Sequence, residues 1–142
     1  MVNQISNSKF PNKIKAVALD VGEKRIGISI SEDGVFAFPF KTVAPENLEQ
    51  ELVSLGRINK IIVGLPRNMD GSLGFQAEKI KSFVNDNLEK YLGKIEYIDE
   101  TATSIEAEKI IRTEGKDPKK NPELIDAYAA KIILEDWLRE KR

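Results

Sequence analysis

Asp20 ends the apolar run Ala16-Val17-Ala18-Leu19 and leads straight into Gly22-Glu23-Lys24-Arg25-Ile26-Gly27. A carboxylate closing a buried strand, followed by a glycine-flanked basic turn, has the makings of a ligand site. A charge among apolar residues is costly unless it is paired or bound to a metal, and open α/β sheets bind ligands outside the carboxyl ends of their strands. The same residue also suits a plain turn cap. Two more carboxylates in comparable places favour the first reading. Glu100 follows the strand-like stretch 95–99, with Asp99 beside it. Adjacent strand residues point to opposite faces, so only one of Asp99 and Glu100 is expected to reach Asp20, and spacing alone does not choose. At about 100° per residue, Asp126 falls among Ala129, Ala130, Ile133 and Trp137 on one helical stripe. Its alternative role, complementing the helix dipole behind Pro122, does not require that core-facing position. Asp70 and Asp136 read as structural or solvated.

What is missing sharpens the chemistry. The 142-residue chain has no His and no Cys. The usual general base and transition-metal ligand are therefore gone, as are disulfides, thiolate catalysis and cysteine zinc sites. Hydrolytic chemistry must rest on carboxylates, Lys, Tyr, hydroxyls, or a hard cation held by oxygens. With a net charge of −1, any phosphate binding must come from local clusters rather than a basic domain. Such clusters exist: Lys24, Arg25 and Arg67 for phosphates, Asn68 as a hydrogen-bond donor, and Lys116, Lys119 and Lys120 in a loop before the last helix. A solvated loop charge is the plainer reading of Lys116. Gly64, Gly71 and Gly74 precede no Gly-Lys-Ser/Thr and serve turns rather than a P-loop.

These groups must be positioned by an alternation of strands and helices. Residues 15–21 form a buried strand, 25–31 a second, and 35–43 a third, entered through the hairpin signal Asp33-Gly34 and pushed to a sheet edge by Pro39. A helix spans 46–56, a central strand 60–65, a loop 67–74 and a helix 75–91. A fifth strand covers 95–99. A helix covers 104–112, with Thr103 and Glu106 spaced as a capping box. The last helix runs 122–139. Right-handed crossovers give a mixed five-stranded sheet, order 3-2-1-4-5 with strand 2 antiparallel, flanked by helices. Asp20 and Glu100 then fall on one edge. Residues 1–13 read as a loose polar lead-in without a signal-peptide core, and 14–142 as a single domain of ordinary globular composition. No apolar run approaches a membrane span, and a cytoplasmic location is expected.

The segments Ala18 to Gly27, Val63-Gly64-Leu65-Pro66-Arg67-Asn68-Met69-Asp70-Gly71, Asp99-Glu100 and Asp126-Ala127-Tyr128-Ala129-Ala130 together resemble the YqgF-like family. That family is a branch of the RNase H-like nucleases described as Holliday junction resolvases and as pre-16S rRNA nucleases. The resemblance covers about residues 14–138. It implies an RNase H-like sheet and carries the family's acidic site residues onto Asp20, Glu100 and Asp126, favouring Glu100 over Asp99. One departure is visible: the family usually has a basic residue and then Thr-Thr after the acidic pair, where this chain has Thr101-Ala102-Thr103-Ser104.

Three carboxylates suit Mg²⁺ or Mn²⁺, which take oxygen ligands and keep several waters. Two such ions about 3.5–4 Å apart would clamp the attacking water and the leaving oxygen of a phosphodiester. Asp20 is the expected bridging ligand, and a metal-bound water needs no protein base. The leading expectation is a metal-dependent endonuclease maturing the 5′ end of precursor 16S rRNA, with ribosomal particles as possible partners. The alternatives are cleavage of four-way DNA junctions and a non-catalytic nucleic-acid-binding module, the latter disfavoured by the intact acids.

Overall fold

The computed structural model describes residues 13–66, 74–100 and 103–141. Nearly all of the expected lead-in and the loop carrying Arg67, Asn68 and Asp70 lie outside them. The described chain runs β1 (Ile14–Val21), β2 (Ile26–Ser31), β3 (Phe38–Val43), α1 (Leu48–Leu55), β4 (Ile58–Leu65), α2 (Phe75–Asn87), β5 (Ile95–Asp99), α3 (Thr103–Thr113) and α4 (Pro122–Glu140). The sheet order is β3-β2-β1-β4-β5, as the crossover argument requires. β2 is antiparallel to β1 and β3, while β4 is parallel to β1 and β5.

Local chemistry moves three boundaries. β3 starts at Phe38 rather than at residue 35, because Asp33 Oδ1 accepts from the backbone N–H groups of Val35 (2.8 Å) and Phe36 (3.0 Å). Donors held by a turn side chain are not free for the ladder. The helix expected to reach residue 91 ends at Asn87, whose amide donates to the Phe83 carbonyl, and the chain tightens into a 3₁₀ turn over Glu89–Lys94. Pro45 opens a similar short turn, Pro45–Asn47, ahead of α1.

The two faces of the sheet are built differently. Val17, Leu19 and Val21 of β1, Ile28 of β2, and Ile61 and Val63 of β4 meet Leu52 and Leu55 of α1 and Ile80 and Val84 of α2. Each buried aliphatic of this kind contributes about 1.5–3 kcal/mol. On the other face Ala16, Ala18 and Ile62 meet Ile133, Leu134 and Leu138 of α4. Strand alternation puts Asp20, Gly27, Ser29 and Gly64 on that same face. Small residues let α4 sit low, and polar ones fasten it: Ser29 Oγ donates to the Ala130 carbonyl (2.7 Å) and Thr42 Oγ1 to the Glu123 carbonyl (2.6 Å). α3 rests on α4 through Ala107, Ala129 and Ile132. Among the described residues, no helix is long and apolar enough to cross a membrane.

Candidate active site

Asp20 pairs directly with Gly27 across the β1–β2 ladder. A Cβ on Gly27 would stand 1.9 Å from the Asp126 carbonyl oxygen, so only glycine lets α4 come down at that point. The backbone of Asp126 thus rests on the residue paired with Asp20, and the two carboxylates become neighbours. Burial first, and the charge of Asp126 second, push the Asp20 carboxyl up to about 6. Arg25, the last residue of the β1–β2 turn, donates from Nε to Asp126 Oδ2 at 2.6 Å. The guanidinium is half exposed and adds little to stability, but it fixes the carboxylate and offsets its charge.

Glu100 extends β5 by one residue, its N–H donating to the Leu65 carbonyl at 2.9 Å. Glu96 and Ile98 share its face, with Trp137 Nε1 of α4 donating to Glu96 Oε1 at 2.9 Å. Asp99 is exposed and by alternation faces the other way. The choice between the adjacent acids therefore falls on Glu100 as the one turned toward α4. Gly64 keeps the space clear between Glu100 and β1. A Cβ there would lie 2.6 Å from Ile133 Cδ1 and 3.6 Å from Glu100 Cγ.

Glu100 does not meet Asp20, however. It shares a hydrogen bond with Asp136 of α4. Burial, that bond, and the charges of Asp136, Glu106 and Glu140 push its carboxyl up to about 9. Asp136 also pairs with Arg139, so of the structural and solvated readings its sequence context offered, the structural one describes it, in contact with Glu100. Its place on the helix between Ile133 and Trp137 was the available signal. Asp20 with Asp126, and Glu100 with Asp136, form two carboxylate pairs on one face, with β4 between them. Among the described residues no group of three acids is close enough to enclose a metal ion. The Asp20–Asp126 pair itself has the donor chemistry of a hard divalent cation. It offers oxygens only, with one carboxylate buried and disfavoured by its neighbour's charge, a repulsion that a cation relieves.

Arg67 lies outside the described residues, and the other expected basic groups fall in two turns. Lys24 is exposed in the turn after Asp20. Lys119 and Lys120 are exposed in a 3₁₀ turn, Pro118–Lys120, just before the α4 N-terminus, where the Asp117 side chain accepts from the Lys119 N–H. Sequence reading missed Lys79 of α2, which donates to Glu23 at 2.8 Å and sits 5.3 Å from the Phe75 ring centroid. Only the packing of α2 beside the β1–β2 turn reveals it.

A mixed sheet of order 3-2-1-4-5 with acids on the face under its C-terminal helix defines an α/β protein. Residues 14–140 match the family RuvX, described as Holliday junction resolvase, and the chain belongs to that family. A protein of Crocosphaera subtropica is 37% identical over 137 residues, covering 92% of this chain and 96% of its own. One from Trichormus variabilis is 37% identical over 136 residues (91% and 90%). One from Chloroflexus aurantiacus is 40% identical over 134 residues (89% and 87%). All three carry the name "Putative pre-16S rRNA nuclease".

Proposed function

We propose that this protein is a metal-dependent endonuclease that hydrolyses phosphodiesters of precursor 16S rRNA, maturing its 5′ end during ribosome biogenesis in the cytoplasm. The observation that carries the reading is the buried Asp20 carboxyl set against Asp126 at the carboxyl edge of the sheet, raised to about 6 by burial and by that neighbour. Asp20 and Asp126 are the pair that would hold Mg²⁺ or Mn²⁺, with Glu100 on the same face but held by Asp136 across β4. A bound ion supplies a water of lowered pKa and neutralises charge on the phosphate. The chain's own part is to orient. Arg25 fixes Asp126, the small residues beneath α4 hold the two carboxylates side by side, and Lys24, Lys119 and Lys120, with Arg67 and Asn68, position the phosphate backbone.

The names of the relatives support an RNA substrate, and the family description supports a second reading, resolution of four-way DNA junctions. Purified protein is presented with single-stranded RNA, precursor 16S rRNA and four-way DNA junctions, with Mg²⁺ or Mn²⁺ and with chelator. Cleavage of the precursor that depends on the metal is the expected result. Preferential, symmetric cutting of junctions would establish the second reading. Binding without cleavage of any substrate would reduce the protein to a nucleic-acid-binding module.

A further inference from the structure

On the other side of the β1–β2 turn from Asp20 lies a small cavity of about 210 Å³. Val21, Pro45, Ile80 and Phe83 form its apolar walls, and Gln76 and Lys79 stand among them as polar groups. Pockets for drug-sized ligands run to about 300–1,000 Å³, so this one suits a single flat ring system rather than a cofactor. Gly22 and Glu23 also line it, which makes the turn after Asp20 a shared wall between the cavity and the acidic site. Beside it the Phe75 ring is 70% exposed with the Lys79 ammonium 5.3 Å from its centroid. Lys24 stands exposed in the same turn.

We infer that this cavity receives one unpaired nucleobase of the strand whose phosphate lies at Asp20, so that the substrate is recognised as a single strand. The inference rests on the nuclease reading for the position of the phosphate, and it adds which part of the strand is gripped. Apolar walls accept any base face, the Gln76 amide offers both a donor and an acceptor to a base edge, and the lysines meet the backbone. Stacked on an exposed aromatic or enclosed by apolar side chains, a base adds affinity with little sequence preference. A base in a duplex must first be unpaired and unstacked, which sets single strands above fully paired ones.

The test is binding in chelator of fluorescent single-stranded oligonucleotides that are intact or abasic at successive single positions, and of their duplexes. The proteins are wild type, Gln76→Ala and Gln76→Trp. Gln76 is exposed, so the tryptophan covers the cavity without entering the core, and thermal melts confirm folding. One abasic position is expected to weaken wild-type binding about tenfold, with duplexes bound more weakly than single strands. Gln76→Trp should erase that difference while leaving affinity for the abasic strand unchanged, and Gln76→Ala should reduce it. Equal binding of intact and abasic strands overturns the base pocket even if the protein cleaves RNA. A base effect unchanged in both Gln76→Ala and Gln76→Trp places the base elsewhere and overturns it too. No binding of any strand overturns this inference together with the nuclease reading, whereas base-dependent binding without cleavage sustains the pocket and rejects the nuclease.

Discussion

The two faces of the sheet obey opposite rules. Beneath α1 and α2 the strands present large aliphatics, Leu19, Ile28, Ile61 and Val63, fully buried against Leu52 and Leu55. Beneath α4 the same strands present Ala16, Ala18, Gly27, Ser29 and Gly64, and two carboxylates stand at the edge. Apolar burial scales with side-chain size, so the first face carries the larger share of stability. The second gives up bulk so that a helix can lie close and hold charge in a desolvated place. A chain that places its acids on the weaker face can keep an unfavourable carboxylate pair without unfolding.

Substitution separates the two faces most clearly at Asp20. Asp20→Asn is expected to lower metal-dependent cleavage by about 10³-fold or more, the equivalent of several kcal/mol of transition-state stabilisation, with the fold intact. Leu52→Ala on the opposite face should destabilise by about 2–5 kcal/mol while leaving cleavage per folded molecule unchanged. Rates and urea melts of both variants decide it, and destabilisation by Asp20→Asn matching that of Leu52→Ala would erase the contrast.

Gly27→Ala should break the seam between the faces. Its Cβ would collide with the Asp126 carbonyl at 1.9 Å, so α4 must lift, at about 1–3 kcal/mol. Cleavage should fall with it because Asp126 leaves Asp20. A melt unchanged from wild type would show that α4 is not held by that contact.

Between the adjacent acids, Glu100→Gln should impair cleavage far more than Asp99→Asn, since only Glu100 shares the face of Asp20. Comparable loss in both, with folding preserved, would refute the face assignment.

The smallest effect is a pH dependence confined to the acidic face. Asp20 and Glu100 have folded-state pKa values raised from 3.8 to about 6 and from 4.5 to about 9. The folded protein therefore holds protons that the unfolded chain has released. Their stabilisation is complete below the ordinary carboxylate range and is lost as pH rises through about 6 for Asp20 and about 9 for Glu100. Melts of metal-free protein from pH 4 to 9 should show the decline, flattened between pH 4 and 6 in Asp20→Asn. Asp126→Asn should be neutral or stabilising in chelator and bind Mn²⁺ more weakly. A loss of about 0.3–1 kcal/mol with unchanged Mn²⁺ affinity would make Asp126 a helix-dipole partner instead.

The sequence by itself determined the strands and their order, and put Asp126 on the apolar stripe of its helix, but its spacing did not choose between Asp99 and Glu100. The apolar runs of 15–21 and 60–65 and the apolar stripe around Asp126 are local patterns, and crossover handedness converts the strands into topology. Absence of His and Cys likewise limited the chemistry before any contact was known. The pairings were decided only by the tertiary structure. That Arg25 binds Asp126, 101 residues away, that Glu100 bonds Asp136 rather than joining Asp20, and that Lys79 stands by the β1–β2 turn follow from how low and at what angle each helix lies on the sheet. That height is set by steric contacts between distant residues, Gly27 beneath Asp126 and Gly64 beneath Ile133, and no periodicity within one segment encodes a contact of that kind.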